Sequence, residues 1–375
     1  MATLPDLLKQ MVELQGSDLH LSIGSVPQTR VHGELEKMNH PELTATDTKS
    51  LSYAVLTDAQ KKRFEETKEL DFSFGIRGLA RFRCNMFNQK GAVGAVYRTI
   101  PERIRPFDEL GLPAVLAKMA ERPRGLVLVT GPTGSGKSTT LAAVIDKINK
   151  ERKGHIITVE DPIEFIHRHQ GCIVNQREIG TDTKSFATAL KYALREDPDV
   201  ILVGELRDLE TIAACLTIAE TGHLALATLH TNSAAESINR IIDVFPSNQQ
   251  TQVRAQLSFV LEGVLTQTLL PKAKGRGRAM ACEIMVCTPA IRALIRDDKV
   301  HQIYSALQSG KKHGMQTMTD ALYQLYMGRE VSKDECLRVA QEPNEFLRMI
   351  GEKPLDDQPI ADLPPNKGER TLLRR

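Results

Sequence analysis

The alternation of hydrophobic and polar positions divides the chain into two regions. Before residue 100, three segments alternate apolar and polar side chains as half-buried strands do: LDFSFGI (70–76), LARFRCNMF (79–87) and AVGAVYRT (92–99). The N-terminal segment MATLPDLLKQMVELQ reads as an amphipathic helix, and its charged residues exclude a signal peptide. We therefore expect a mixed α+β domain over residues 1–100.

After about residue 114 the apolar positions no longer alternate. Short and wholly apolar runs follow one another, each leading into a longer helical or polar segment: GLVLVT, HIITV, DVILVG and LALATL. Strands that are buried on both faces have this composition, which predicts a parallel sheet covered by helices on both sides. We expect this α/β core over residues 114–270, joined to the first domain by the charged, proline-containing linker 101–113.

The remaining residues predict a different organisation. A basic, glycine-rich loop, PKAKGRGR, occupies 271–278. Over 271–350 we expect a mainly helical region, in which Pro289 begins one helix and TDALYQLYMGR forms another. Residues 351–375 contain several prolines and few apolar side chains, so we expect this tail to be disordered.

Charge and cysteine content exclude several classes of function. Lys and Arg number 49 against 47 Asp and Glu, a net charge of +2, so no global field attracts nucleic acid or anionic lipid, although local basic patches stay open. No apolar run reaches the roughly eighteen residues of a membrane span. The six cysteines form no CxxC pair, which argues against a zinc ribbon or a disulfide framework and predicts buried, reduced thiols.

The segment GPTGSGKST, residues 131–139, matches the phosphate-binding pattern GxxxxGK[ST] between an apolar strand and a helical segment. Such a loop turns its backbone N–H groups toward phosphate oxygens at a helix N-terminus. Lys137 is expected to reach the β- and γ-phosphates, and the Ser138 hydroxyl to ligate Mg²⁺. The sequence therefore predicts a nucleoside triphosphate site formed by Pro132, Thr133, Gly134, Ser135, Gly136, Lys137, Ser138 and Thr139.

Acidic residues follow two of the predicted strands. DVILVGE ends in Glu205, at the sheet edge where such folds bind ligands, but Gly204 stands where a typical motif has Asp. Glu205 is expected to polarise the attacking water or to support the water shell of the metal. HIITVEDPIEF supplies Glu160 and Glu164, which can share metal and water positioning, with helix capping as the alternative.

Arginines of the first domain are candidates for contact with the phosphate. If NQKG (88–91) is a four-residue turn, Arg81 lies opposite Arg98, and Arg83 lies on the same face. Opposed like charges destabilise a sheet unless an anion or a carboxylate lies between them. A γ-phosphate is one such anion, and arginine beside it stabilises the transition state. A solvated face or pairing with carboxylates is the alternative.

Two histidines flank the LALATL strand. His223 and His230 are seven residues apart, so a continuous strand would point them to opposite faces, which argues against a shared metal. His230 is expected at the same edge as Glu205, where it would hydrogen-bond a γ-phosphate or a catalytic carboxylate and sense hydrolysis. For His223, a nucleotide contact and a purely structural hydrogen bond are both open.

Four segments in this order resemble those of the secretion and type IV pilus ATPases: GPTGSGKST, VEDPIEF, DPDVILVGELRD and AETGHLALATLHTNSA. SDLHLSIGSVPQTRVHGEL and ARFRCNMFNQKG are similar to the N-terminal domain of that family. The lack of two CxxC pairs and the segment AIRALIRD (290–297), similar to the AIRNLIRE segment of retraction enzymes, favour the retraction branch. Ala293 and Asp297 depart from that segment and leave an accessory retraction paralogue open.

The resemblance implies a RecA-like P-loop core with an N-terminal PAS-like α+β domain, assembled as a homohexamer. It implies ATP and Mg²⁺ as cofactors, Glu164 and Glu205 as catalytic acids, and arginines of the first domain that reach the phosphate. It also implies a cytoplasmic motor at the inner membrane, with the pilus platform protein and a retraction paralogue as partners. Alternatives are a pilus-assembly or type II secretion ATPase, a nucleic-acid translocase, which the near-neutral charge and the lack of tryptophan disfavour, and a small-molecule kinase.

Overall fold

Threonine N-caps begin the three helices of the N-terminal part of the chain. In the computed structural model, which describes residues 2–31, 33–100, 103–275 and 277–355, Thr3, Thr44 and Thr57 each accept the backbone N–H three residues on, and the side chain there bonds back to the cap. This reciprocal capping satisfies donors that the first helical turn leaves unpaired. The helices that follow are α1 (Leu4–Glu13), α2 (Ala45–Tyr53) and α3 (Asp58–Thr67).

These three helices accompany a six-stranded antiparallel sheet in the order β3-β2-β1-β6-β5-β4. Its strands are β1 (Asp18–Leu21), β2 (Gln28–Val31), β3 (Glu34–Lys37), β4 (Glu69–Ile76), β5 (Ala80–Gln89) and β6 (Ala92–Ile100). Apolar side chains of the helices and the sheet form one buried cluster. The predicted N-terminal helix and the three predicted alternating strands are confirmed.

The register of the β5–β6 hairpin differs from the prediction. Gln89 pairs with Ala92, so the turn consists of two residues, Lys90 and Gly91, both with positive φ. Two-residue turns of this kind match the right-handed twist of the strands. Arg83 therefore lies opposite Arg98, and the predicted pairing of Arg81 with Arg98 is wrong. Because the shift is two residues, each arginine stays on its predicted face.

The second half of the chain alternates strands and helices up to residue 260. Its strands are β7 (Gly125–Thr130), β8 (His155–Glu160), β9 (Ile173–Glu178), β10 (Val200–Val203) and β11 (Leu224–Leu229). Its helices are α4 (Phe107–Leu110), α5 (Ala114–Ala120), α6 (Lys137–Glu151), α7 (Phe186–Ala193), α8 (Leu209–Glu220), α9 (Ala234–Asp243) and α10 (Ser247–Val260).

A long hairpin and a helical region complete the described chain. The hairpin comprises β12 (Leu261–Pro271) and β13 (Arg278–Val286), and the helices are α11 (Pro289–Arg296), α12 (Ile303–Ser309), α13 (Met318–Met327), α14 (Lys333–Val339) and α15 (Pro343–Met349), with short 3₁₀ turns at Val300–Gln302 and Lys311–His313. The helices at Pro289 and in TDALYQLYMGR are confirmed. The strand β13 lies within the region predicted to be mainly helical.

The seven strands form a mixed sheet in the order β13-β12-β7-β11-β10-β8-β9. β7 pairs in parallel with β11 and β12, and β10 pairs in parallel with β8 and β11, while β13 is antiparallel to β12. All residues of β7, β10 and β11 are buried. The four predicted apolar strands are confirmed, and so is the predicted combination of an α+β part with an α/β core.

The chain folds into two compact units. The first comprises the described residues up to Arg105 together with Glu160–Arg168 and Gln176–Asp182, and the second comprises the rest of the described chain. Of the predicted linker, residues 101 and 102 lie outside the described residues, and most of the predicted disordered tail, 356–375, also lies outside them. All six cysteines are free and buried, as predicted. In the part of the chain that the structure describes, no helix has the length and apolar character needed to cross a bilayer.

Candidate active site

Three parallel strands of the second unit end at one edge of its sheet. The loop 131–136 follows β7, His230 follows the neighbouring strand β11, and Glu205 comes two residues after β10. Carboxyl ends of parallel strands are where open α/β sheets bind their ligands. The sequence placed these groups after separate strands, and the topology brings them together.

Glycines determine the course of the loop between β7 and α6. Gly134 and Gly136 have φ of +80° and +89°, values that a residue with a side chain rarely adopts. Gly131 has no space for a side chain, because a Cβ there would lie 2.2 Å from the carbonyl oxygen of Gln267. The loop leads directly into Lys137, the first residue of α6, so its amides precede a helix N-terminus. This geometry is suited to binding phosphate.

The buried side chain of Gln267 on β12 supports the loop from the neighbouring strand. Its Nε2 donates to the Ser135 carbonyl at 2.7 Å, and its Oε1 accepts from the Thr140 hydroxyl at 2.8 Å. The Ser135 hydroxyl is itself buried and has no hydrogen-bond partner among the described residues. Gln267 thus ties β12 to both the loop and the first turn of α6.

Lys137, His230 and Glu205 form a connected set. The Lys137 ammonium donates to the carbonyls of Gly131 and Pro132, at 2.8 and 3.2 Å, and lies 3.4 Å from His230 Nδ1. Because an ammonium only donates, Nδ1 must accept, which places the ring proton of a neutral His230 on Nε2. That nitrogen lies 3.3 Å from Glu205 Oε1. Thr133 Oγ1 also approaches His230 Nδ1, at 3.4 Å.

Glu205 is held in its ionised form by Arg207. Arg207 Nη2 lies 2.7 Å from the second carboxylate oxygen, Oε2. Partial burial alone would raise the pKa of Glu205, but the hydrogen bond and the charge of Arg207, together with the neighbouring His230, oppose it, and the net effect lowers the pKa below its ordinary value. A carboxylate that stays ionised can accept a hydrogen bond from water or polarise it.

His223 lies at the other end of its strand. Its carbonyl accepts from the Gly125 amide at the start of β7, whereas the phosphate loop follows the end of β7. Its ring nitrogen Nδ1 lies 3.2 Å from the Ile218 carbonyl, near the end of α8. A strand of six residues extends about 20 Å. The second unit therefore does not bring the ring of His223 to its own phosphate loop.

The remaining predicted residues lie in the first unit, where two of the three arginines have partners. Arg98 Nε donates to Asp18 Oδ1 at 2.8 Å, and Asp18 is almost fully buried. Arg81 Nη2 donates to the Ser73 hydroxyl at 2.7 Å. Arg83, half-buried and opposite Arg98, has no hydrogen bond or ion pair with any residue that the structure describes. The Asp18 carboxylate thus balances the charge of Arg98, whereas the guanidinium of Arg83 is available to bind an anion.

The acidic segment that begins at Glu160 forms a loop in the same unit. Glu164 is exposed, and its backbone N–H lies 3.4 Å from Glu160 Oε2. Gln176 on β9 supports the loop by donating to Glu160 Oε1 at 3.3 Å and to the Phe165 carbonyl at 2.8 Å. Its own side-chain oxygen accepts the His167 amide at 2.8 Å.

Four functional candidates were not identified from the sequence: Arg207, Gln267, Glu178 and Glu283. Arg207 lies two residues after Glu205 in VGELRD, so a search for charge partners near that acid would have found it. Gln267 lies in the segment VLTQTLL between apolar residues, where a glutamine is unusual for a buried strand. Glu178 and Glu283 are buried carboxylates whose contacts with Ser73 and Ala234 span long stretches of sequence, so no local pattern indicates them.

A comparison with known protein families gives one match over most of the chain. The family described as "Type II/IV secretion system protein" matches residues 4–338. The chain is 52% identical to "Type IV pilus retractation ATPase PilT" of Pseudomonas aeruginosa over 341 residues, which cover 91% of this chain and 99% of that protein.

Two further relatives extend the comparison. The chain is 44% identical to "Type IV pilus ATPase PilU" of the same organism, over 92% of this chain and 90% of that protein. It also superimposes on a crystal structure described as the pilus retraction motor PilT with bound ADP, with a TM-score of 0.88 and 48% identity. That match covers 93% of this chain and all of the other.

Proposed function

We propose that this chain, which belongs to the type II/IV secretion system protein family, is the motor that powers retraction of type IV pili. It is an ATPase, as its family and its relatives show. The observation that carries the chemistry is the connection from Lys137 through His230 to Glu205 at the end of three parallel strands. The likeness to proteins described as retraction ATPases supports the direction of the motor.

The residues of the phosphate loop fit a nucleoside triphosphate with Mg²⁺. The buried Ser135 hydroxyl has no hydrogen-bond partner in the described part of the chain, and a phosphate oxygen would supply one. The backbone N–H groups of residues 133–139 would surround the β-phosphate, and the Lys137 ammonium would exchange a carbonyl for a phosphate oxygen. The Ser138 hydroxyl, in the first turn of α6, would hold the metal. When bound, Mg²⁺ neutralises phosphate charge during cleavage.

Glu205 and His230 would act on the water and on the γ-phosphate. Glu205 stays ionised and accepts a hydrogen bond from the attacking water, which orients the water toward phosphorus. His230 shares its Nε2 proton with Glu205 and faces Lys137 through Nδ1, so a change at the Lys137 ammonium changes the hydrogen bonding of Glu205. This is the basis for the proposed sensor role of His230.

Residues of the first unit would complete the site in the assembled protein. We assign Glu164 as a second catalytic acid, because it is exposed in the loop that starts at Glu160. Arg83 is the arginine that would reach the γ-phosphate, since Arg98 and Arg81 already have partners. For Arg98 and Arg81 a role in holding the sheet is the better-supported assignment.

Membership of this family supports a proposal for the assembly and its surroundings. We propose a homohexamer in the cytoplasm at the base of the pilus, where the ring acts on a platform protein of the inner membrane. The segment 101–113 is the proposed site of rotation during the cycle. The similarity to the PilU protein favours one second candidate, an accessory ATPase that works with a paralogue.

The chemical test is Glu205→Gln in the full-length protein. The amide keeps the size of the side chain but accepts no proton, so we expect ATP binding to persist while kcat falls about 100- to 1000-fold. Arg207→Gln is the matched variant, because it leaves the Glu205 carboxylate in place. Its kcat should fall less than that of Glu205→Gln. Near-normal turnover of Glu205→Gln would transfer the catalytic assignment to Glu164.

The cellular test is deletion of the gene. Cells that keep abundant pili but lose surface motility would support retraction, whereas cells without pili would indicate an assembly motor. Restoring motility with this chain alone, in a strain that lacks every retraction ATPase, would separate a self-sufficient motor from an accessory one. Failure of that complementation would favour the accessory assignment.

A further inference from the structure

Glu178 is a buried carboxylate that the site described so far does not use. It is the last residue of β9 and is 4% exposed. Its two oxygens accept from the Ser73 hydroxyl at 3.0 and 3.1 Å, from the Ile163 amide at 3.2 Å and from the Thr181 hydroxyl at 3.3 Å. All these groups belong to the first unit. Glu178 therefore joins three segments that are distant in sequence.

The contact with Ser73 has a fixed direction. Arg81 on β5 donates to the Ser73 oxygen at 2.7 Å, and a guanidinium has no acceptor. Ser73 must therefore accept from Arg81 and donate its single proton to Glu178. The chain Arg81–Ser73–Glu178 anchors the carboxylate to strands β4 and β5 of the antiparallel sheet.

The contact with Ile163 reaches the acidic loop. Ile163 directly precedes Glu164, so the hydrogen bond from its amide fixes the backbone next to the proposed catalytic acid. Gln176 supports the other part of the loop, through the Phe165 carbonyl and the His167 amide. Of these two supports, Glu178 is the one that connects the loop to the sheet through Ser73.

We propose that Glu178 is a positioning residue, which holds the acidic loop on the antiparallel sheet and thereby sets where the Glu164 carboxylate lies. The inference rests on the catalytic role proposed above for Glu164. It also gives Arg81 a defined task, because Arg81 orients the Ser73 hydroxyl toward Glu178. A small displacement of a catalytic group lowers the reaction rate strongly. The hydrogen-bonded connection through Glu178 therefore affects turnover although it does not contact the nucleotide.

The test combines Glu178→Gln and Ser73→Ala in the full-length chain, with two measurements. The first is amide hydrogen exchange of the peptide containing Ile163, which reports the loop directly. Loss of one hydrogen bond should speed that exchange about tenfold. The second is ATPase kinetics, in which we expect kcat to fall about 10- to 100-fold in Glu178→Gln and less in Ser73→Ala, with KM for ATP unchanged.

Asp71→Ala supplies the matched control. Asp71 lies on β4 two residues before Ser73, on the same face, and accepts from the exposed Asn85 amide on β5. It has no hydrogen bond to the acidic loop among the described residues, so exchange at Ile163 and kcat should both stay normal. Since Ser73 and Glu178 belong to one series of hydrogen bonds, kcat of the double variant should be no lower than kcat of Glu178→Gln alone.

The outcomes separate this inference from the proposed function. Normal exchange at Ile163 in both variants would overturn the inference, and so would additive losses of kcat in the double variant. Faster exchange with normal kcat would support the role of Glu178 in holding the acidic loop, but it would refute the catalytic role of Glu164. In that case Glu164→Gln would also retain turnover. If Glu178→Gln does not fold, Ser73→Ala carries the same test, because it removes one donor and leaves the carboxylate in place.

Discussion

The buried carboxyl group of Glu283 gives a prediction for how the stability of the protein changes with pH. It lies on β13 and is 1% exposed, and its Oε1 accepts the backbone N–H of Ala234 at 2.7 Å, where α9 begins. Burial raises the pKa of this carboxyl from its ordinary 4.5 to about 7, although hydrogen bonds from the Ala234 and Met318 amides oppose the change. The helix α9 that this contact holds starts four residues after His230 in the sequence.

The sign and the magnitude of the change in unfolding free energy follow from the linkage between proton binding and folding. With the higher pKa in the folded chain, the folded state holds the proton more tightly than the unfolded state, so stability falls as pH rises from 4.5 to about 7. Over that whole interval the ionised carboxylate costs about 3 kcal/mol. The change Glu283→Gln keeps an oxygen for Ala234 and carries no charge at any pH. The stability of the variant relative to wild type should therefore rise with pH.

The assay is urea unfolding of both proteins at pH 5 and pH 8, at one protein concentration. Between these pH values the difference in unfolding free energy should shift by about 2.5 kcal/mol in favour of Glu283→Gln. Using the difference between the two proteins removes the contribution of other titrating groups. A shift below about 1 kcal/mol would refute the reasoning, because it would mean that Glu283 is as well solvated in the folded chain as in the unfolded one.

Three further results are expected. Gly131→Ala should abolish binding of a fluorescent ADP analogue, since its Cβ would clash with the Gln267 carbonyl. Gly134→Ala is strained by a φ of +80° but has open space around its Cβ, so it should weaken binding less, and equal losses of affinity would contradict the clash. Arg83→Ala should lower kcat about 1000-fold with ATP binding intact, and a normal kcat would exclude it as the phosphate-contacting arginine. Arg98→Ala should instead destabilise the first unit by about 1–3 kcal/mol, measured by thermal unfolding, because it leaves the buried Asp18 carboxylate with the Ser17 hydroxyl but without the Arg98 cation.

The hairpin arginines illustrate what pattern alone leaves open. Alternation placed β5 and β6 and assigned each arginine to a face, because side-chain direction in a strand has a period of two. Which arginines oppose each other depends on the length of the turn, and the residues Lys90 and Gly91 form a tighter turn than the four-residue prediction. Which arginine stays free depended on Asp18 and Ser73, which lie on other strands.

The acidic loop illustrates a second limit. Glu160 and Glu164 were recognised as acids after a strand, which is a local property of HIITVEDPIEF. That this loop packs with the first unit through Glu178 and Gln176 is a matter of long-range contact. Buried polar groups of this kind leave no periodic trace, because a single Glu or Gln in a strand looks like an exposed residue.

By itself the sequence determined the elements and the chemistry available at their ends: the glycines that bend the loop before α6, the lysine that begins that helix, and the polar residues that follow β10 and β11. These are local properties, set by backbone sterics and by the period of burial. Tertiary structure alone decided which partner each charge has, as with Arg207 on Glu205 and Asp18 on Arg98. Electrostatic and hydrogen-bond energies depend on distances across the fold, and those distances exist only once the chain has packed.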